Sequence, residues 1–305
     1  MRVLAADIGG SNTRVQILDA SGLVETLRIP TSGPSLAQAL KPYESSFVGL
    51  SGAVLAIAGP VQEQKAKLTN FSWDLDAQKL SHALGCPVRL VNDFEAAALG
   101  VSVLPESATE HLSGPPPDPI GLAVVLGPGT GLGQALLLPG HPRTVHPTEG
   151  GHVDLAPNSP TQAKIWDWLH TQHGHVSAER VLSGAGLLAL QHFFAQELNQ
   201  PRLASPAAVS SSETRSARAA LTQFVQFLGA HAGNVALALN PPGGVWIAGG
   251  IAPRLPLKAL GLLEAFHNKG RLSPACAQVP LMLVLDSDLG LMGAAALARR
   301  LYGEV

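Results

Sequence analysis

Two glycine-rich turns, each set between apolar runs, limit what this chain can fold into more than any other feature. The first is Asp7-Ile8-Gly9-Gly10-Ser11-Asn12-Thr13, between Val3-Leu4-Ala5-Ala6 and Val15-Gln16-Ile17-Leu18. The second is Gly127-Pro128-Gly129-Thr130-Gly131-Leu132-Gly133, between the runs at 122–126 and 135–138. Both read as strand, loop, strand. Glycine reaches positive φ without strain and, lacking a Cβ, lets backbone N–H groups approach an anion. Two such loops imply two clamps on one polyphosphate; a hairpin that holds no ligand is the simpler alternative for either loop alone. Neither loop is spaced like G-x-x-x-x-G-K-[ST], and the second runs G-x-G-x-G-x-G rather than G-x-G-x-x-G opening a helix. A P-loop NTPase and a Rossmann dehydrogenase are therefore disfavoured.

The 305 residues suffice for two domains, and with 46% hydrophobic and 14% charged residues a substantial core is expected. A net charge of -2 leaves no basic surplus for nucleic acid. Cys86 and Cys276 are far apart and form no ligand pair, which fits buried thiols in a reducing cytoplasm. Asp7 interrupts the first apolar run, so no signal peptide is expected. The charge-free stretch from Ala219 up to Arg254 is long enough to span a membrane, but Gln223, Gln226 and Asn234 recur at helical intervals beside His231. It reads as a buried amphipathic helix instead.

The pattern predicts three short strands up to about Leu27, with a turn at Asp19-Ala20-Ser21-Gly22, then a helix over 36–43 and a buried strand over 53–58 ended by Gly59-Pro60. Helix over 76–84, strand over 88–91 and helix over 94–100 follow. Residues 105–119, with Ser113-Gly114-Pro115-Pro116-Pro117, form the best linker by composition. Beyond it come helices at 161–172, 186–197 and 214–239, strands at 243–248 and 281–285, and a closing helix at 289–302 whose apolar surface must pack somewhere. Such mixing of strands and helices implies an α/β layered protein with sites at the carboxyl ends of strands.

Asn92-Asp93 stands where a buried strand ends and a helix begins, a place where Asp93 can act as a base toward a hydroxyl and Asn92 can hold a neighbouring one. The same pair is also a good helix N-cap. In Glu149-Gly150-Gly151-His152-Val153-Asp154 the two glycines let the backbone turn so that acid and imidazole reach one small polar object, and Glu179 offers a further carboxylate. A polyol such as a sugar suits these groups; a metal held by His152, Asp154 and Glu149 is the alternative. His170, His173 and His175 sit at a helix end, where histidine is favoured on structural grounds. Asn70 reads as an Asx-turn residue, Trp73 as a core anchor, and Arg180 as a partner for an acid rather than a phosphate ligand.

Together these segments resemble the bacterial glucokinases of the hexokinase-like, actin-fold superfamily. The resemblance is carried by DIGGSNTR (7–14), AIAGPV (56–61), TNFSW (69–73), VNDF (91–94), GTGLG (129–133), EGGHVDLAP (149–157), HVSAERVLSG (175–184) and GVWIAGGIAPR (244–254), in the family's order along nearly the whole chain. It implies an α/β, two-domain actin-like (ribonuclease H-like) ATPase fold with a duplicated mixed-sheet core and an interdomain cleft. Residues 1–104 plus 287–305 would form the small domain and 105–286 the large one. The implied activity is ATP-dependent phosphorylation of D-glucose at O6, the first step of glycolysis. Asp93 would be the general base, and Asn92, Asp93, Glu149, His152 and Glu179 would hold glucose. Ala6, Asp7, Ile8, Gly9, Gly10 and Ser11 would form the first ATP-phosphate loop, Gly129, Thr130 and Gly131 the second, and Gly249 and Gly250 the adenosine-side loop. Asp7 would lie near Mg²⁺ through water.

The resemblance further implies a cytoplasmic homodimer with no nucleic-acid or membrane partner. Pro128 before the GTG, and Ser11 where threonine is common, are departures that remove no chemical group. The zinc-binding cysteine cluster of the related repressor/kinase group is absent. A kinase for another hexose, a non-catalytic sugar-binding sensor and an ATPase without a sugar acceptor are the rival readings.

Overall fold

The computed structural model describes residues 1–9, 12–68 and 73–303. Gly10 and Ser11 of the first glycine loop lie outside the described residues, as do Thr69, Asn70, Phe71 and Ser72, and with them the expected Asx turn. The chain divides into two compact units, Met1–Pro105 with Arg143–Val145 and Asp286–Val305, and Glu106–Pro142 with His146–Leu285.

The first unit opens with β1 (Arg2–Ile8), β2 (Asn12–Asp19) and β3 (Gly22–Pro30), an antiparallel meander whose second turn is the Asp19–Gly22 hairpin. α1 (Leu36–Leu40) gives way to a 3-10 turn over Lys41–Phe47. The helix expected to reach Tyr43 changes character at Pro42, which has no N–H to continue the ladder. β4 (Leu50–Ile57) runs parallel to β1, and its residues 53–57 are buried on both faces as the continuous apolar run requires. β5 (Val61–Gln62), β6 (Lys65–Lys67) and β7 (Asp74–Asp76) make a small separate sheet, with Trp73 buried beside it and its Nε1 donating to the Gly33 carbonyl at 2.9 Å. α2 (Ala77–Leu84) is capped by the Asp76 carboxylate, β8 (Val88–Asn92) joins β4 in parallel, and α3 (Asp93–Gly100) follows at once. The sheet order is β3-β2-β1-β4-β8.

The second unit repeats this plan. Its sheet is built from β9 (Thr109–Ser113), β10 (Ala123–Pro128), β11 (Leu132–Leu138), β12 (Thr144–Thr148, of which the first two residues are counted with the first unit), β13 (Val245–Ile247) and β14 (Leu281–Val284), in the order β12-β11-β10-β13-β14-β9. β10 pairs antiparallel with β11 and parallel with β13, as β1 does with β2 and β4. Each glycine loop is thus the hairpin connection at the middle of a mixed sheet.

The linker reading fails at β9. Residues 109–113 pair antiparallel with β14, His111 opposite Met282 and Glu110 opposite Leu283. Only Leu112 of this strand is buried, so its polar composition conceals an edge strand whose partner lies far along the chain.

The helices are α4 (Pro160–His173), α5 (Gly184–Glu197), α6 (Pro206–Ser211), α7 (Arg215–Leu239), α8 (Leu262–His267) and α9 (Ser273–Cys276). α7 buries Phe224, Phe227, Leu228 and His231, while Gln223 Nε2 donates to Gln226 Oε1 on its polar side at 3.0 Å. Among the described residues no helix is long and apolar enough to cross a membrane. The last helix, α10 (Leu289–Tyr302), belongs to the first unit and packs on α3. The helices meet backbone to backbone: a Cβ at Gly100 would strike the Leu289 carbonyl, and one at Gly293 the Ala96 carbonyl.

Candidate active site

Asp93 is the first residue of α3, directly after β8. The N-cap is Asn92, whose Oδ1 accepts from Phe94 N at 2.9 Å and Glu95 N at 3.2 Å and whose Nδ2 donates to the Gly59 carbonyl at 3.0 Å. The capping role of this pair is therefore real and falls on Asn92, leaving its amide one N–H for a ligand. Asp93 is released from capping in large part, though its Oδ1 still accepts from Phe94 N at 2.8 Å. Burial pushes the Asp93 carboxyl up to about 6, against the Phe94 hydrogen bond that lowers it and with the nearby Asp7 charge raising it further. A carboxylate with a pKa near neutrality is matched to taking a proton at cellular pH.

The first glycine loop begins later than expected. Ala6, Asp7 and Ile8 are the last residues of β1, and Ala6 and Ile8 turn their side chains into the core. Asp7 faces away from that core and pairs through Oδ2 with Arg14. Arg14 also pairs with Asp288 at the N-terminal end of α10, so one guanidinium joins the start of the loop to the last helix. Nothing in the sequence pattern singled out Arg14, because Asp288 is 274 residues away. Thr31 Oγ1 donates to the Gly9 carbonyl at 2.8 Å, and Gly9 N donates to the Asn12 carbonyl at 3.1 Å. One carboxylate beside a glycine loop fits Mg²⁺, which takes one or two protein carboxylates and fills its remaining positions with water and substrate phosphate oxygens.

The second loop lies between β10 and β11. None of the described glycines in either loop has positive φ, contrary to the expected turn geometry; what they supply is space. Gly129 has open space where a Cβ would stand, and Thr130 is exposed at the tip. Gly131 makes room for Glu179, whose Oε2 accepts from Leu132 N at 2.8 Å. Gly249 follows β13 at φ 84°, with its Cβ position 2.6 Å from the Pro128 carbonyl, so only glycine fits against the second loop there; Gly250 faces open space.

Glu149 and His152 flank a 3-10 turn and project outward, 91% and 56% exposed, with His152 Nε2 3.8 Å from Glu149 Oε2. Their intervening glycines serve packing rather than turn freedom: both are buried against β11, where a Cβ would strike the Gln134 side chain or the Leu132 carbonyl. The turn carrying Glu179 is laced to this segment by Leu155 N to Val176 O and Ala178 N to Val153 O, both 2.9 Å.

Two of the three histidines expected at the helix end, His170 and His175, have local partners. His170 stacks on Trp166 with ring centroids 4.7 Å apart, and His175 Nε2 lies 2.8 Å from Asp154 Oδ1. Among the described residues, no three or more His, Cys, Asp or Glu side chains are grouped to hold a metal ion. Arg180 is exposed and pairs with no acid among the described residues, contrary to expectation.

Comparison with known proteins gives a match to the glucokinase family model over residues 4–301. A glucokinase of Nostoc punctiforme is 35% identical, the alignment covering 98% of this chain and 99% of that protein. One from Pectobacterium atrosepticum is 37% identical over 99% and 98% of the two chains. The crystal structure of a glucokinase from an Antarctic psychrotroph superposes with a TM-score of 0.86 at 32% identity, covering 98% of this chain and 99% of that one.

Proposed function

Because this chain belongs to the glucokinase family, we propose that Asp93 is the base of its reaction and that Asn92, Glu149, His152 and Glu179 hold the sugar. The reaction is ATP-dependent phosphorylation of D-glucose at O6, giving glucose 6-phosphate and ADP. The observation that carries the assignment of the base is the partly buried Asp93 carboxyl, pushed up to about 6 at the end of β8. Asp93 draws the proton from the 6-hydroxyl as that oxygen attacks the γ-phosphorus, the attack displacing ADP. Glu149 and Glu179 accept from the other hydroxyls, while His152 and the remaining Asn92 N–H donate. Such transfer needs positioning and charge stabilisation more than covalent chemistry. Backbone N–H groups of the loops at Gly9–Ser11 and Gly129–Gly131 supply part of it, with Gly249 and Gly250 on the adenosine side. Asp7 would hold Mg²⁺ through water, and the ion when bound neutralises charge on the phosphate oxygens.

Arg14 fits the role of a positioning residue for Asp7. Arg14→Met is expected to raise the KM for ATP about 10-fold, the usual scale for losing a partner that orients a metal-site carboxylate. The KM for glucose should stay within about threefold, since in this assignment no sugar-holding group touches Arg14. Initial-rate kinetics with each substrate varied in turn checks both.

The family's homodimer is also proposed for this chain, and sedimentation of the purified protein tests it. A reducing cytoplasm suits Cys86 and Cys276, which are free and buried. One coupled assay of ADP release with glucose, mannose, fructose and N-acetylglucosamine tests the substrate. Glucose should give the highest kcat/KM; release unchanged by any sugar would leave an ATPase, and glucose binding without ADP release would leave a sensor.

A further inference from the structure

The second phosphate loop is tied down at both of its ends. Gly184 N, in the first turn of α5, donates to the Gly129 carbonyl at 2.8 Å. At the other end Leu132 N donates to Glu179 Oε2, also at 2.8 Å. Gly129 to Leu132 thus hang between a helix start and a carboxylate, with exposed Thr130 at the tip. The backbone of Glu179 is anchored, with its carboxylate held, among the described residues, by the Leu132 bond alone: Ser183 Oγ donates to its carbonyl at 2.8 Å, and the 3-10 turn that carries it is hydrogen-bonded to the Glu149–His152 side through Ala178 N and Val153 O. Its second oxygen, Oε1, has no partner among the described residues. A carboxylate accepts through both oxygens, so one group faces two tasks.

We infer that Glu179 couples the two substrates, one oxygen holding a sugar hydroxyl and the other holding the base of the Gly129–Leu132 phosphate loop. This rests on the assignment of Glu179 to the sugar made above. A sugar hydroxyl donating to Oε1 fixes the carboxylate and with it the Leu132 bond, so the loop that must be ordered around the phosphates is already ordered. A ligand that removes the ordering cost for a second ligand strengthens it with no change of shape. The effect is reciprocal by linkage: nucleotide tightens sugar by the same factor.

Gly131 offers a test from the nucleotide side. A Cβ there would stand 2.5 Å from Glu179 Oε2 and within 3.3 Å of Cδ. The obstructed atoms are the far end of a flexible side chain, so Gly131→Ala displaces the carboxylate and leaves the backbone in place. No sugar-holding side chain is changed by that substitution.

The experiment is calorimetric titration of glucose with and without saturating ADP and Mg²⁺, on the unmodified protein, Glu179→Gln and Gly131→Ala. In the unmodified protein ADP should tighten glucose by about 5-fold or more, the lower end of usual coupling between sites. Both variants should reduce that factor to a third of its value or less. Gly131→Ala should also weaken glucose several-fold in the absence of any nucleotide. Weakened glucose binding in Glu179→Gln with an unchanged coupling factor overturns the inference and leaves the sugar assignment standing. Unchanged glucose binding in Glu179→Gln overturns both. If Gly131→Ala does not fold, the Glu179→Gln coupling factor decides alone.

Discussion

Asp93→Ala is expected to lose about 10²- to 10⁴-fold in kcat with the fold retained, the range set by removing a general base from a proton transfer. The loss should be in kcat more than in KM, because proton abstraction is realised in the transition state while several other groups hold the sugar. In the proposed role the group works when ionised, so kcat/KM for glucose in the unmodified protein should fall as the pH drops through about 6, the value to which burial raises the carboxyl. Stability should move the opposite way. A folded-state pKa above the unfolded one means that the folded protein holds the proton more tightly; the stability this contributes is full below about 4 and is lost as pH rises through 6. Asp93→Asn, which cannot ionise, should therefore melt at or above the temperature of the unmodified protein at pH 8 while being nearly inactive. Near-normal kcat in Asp93→Ala, or an acid limb that persists unchanged in residual Asp93→Asn activity, would remove Asp93 from the mechanism.

Gly293→Ala should destabilise the first unit even though alanine is the better helix former. In the interior of α10 the exchange gains about 1 kcal/mol of helix propensity. Against it, the new Cβ falls well inside contact distance of the Ala96 carbonyl and within 2.7 Å of Gly100 N. Both are backbone atoms of α3, which cannot swing aside as a side-chain end does, so α10 must lift. Overpacking of this kind costs about 1–3 kcal/mol, occasionally more, and forfeits apolar burial along α10, where Leu291, Ala294 and Ala298 are buried. The net loss, about 1–2 kcal/mol once the forfeited burial is added, should lower the melting midpoint by roughly 2–8 °C at ~2–4 °C per kcal/mol. The displacement also bears on activity, since α3 begins at Asp93 and α10 begins beside Asp288, the second partner of Arg14. Scanning calorimetry with and without glucose checks both. A midpoint equal to or above that of the unmodified protein would mean that the helices are not in backbone contact.

Local pattern made much of the fold legible. α2, α3, α7 and α10 lie within a residue or two of where periodicity and capping residues place them, because Asp76, Asn92 and Thr214 accept from the first-turn N–H groups that a helix start leaves open. Continuous apolar runs marked β4 and β10 for the same local reason. β9 escaped because an edge strand needs only one buried side chain, here Leu112, and is defined by pairing with β14. The pKa of Asp93 escaped because it depends on what surrounds the carboxyl. The Arg14 link to Asp288 and the Glu179 link to Leu132 escaped because each joins residues that sequence spacing does not relate.

The paired glycine loops illustrate the division. The sequence alone determined that two strand-loop-strand units recur, since β periodicity and glycine content are read residue by residue. It also supplied the side chains proposed above for the chemistry. Tertiary structure decided what each glycine is for: Gly131 clears space for Glu179, Gly150 and Gly151 lie against β11, and Gly249 lies against the Pro128 carbonyl. An absent Cβ looks the same in a sequence whether it permits a turn or a close approach, and only the neighbour brought up by folding tells the two apart.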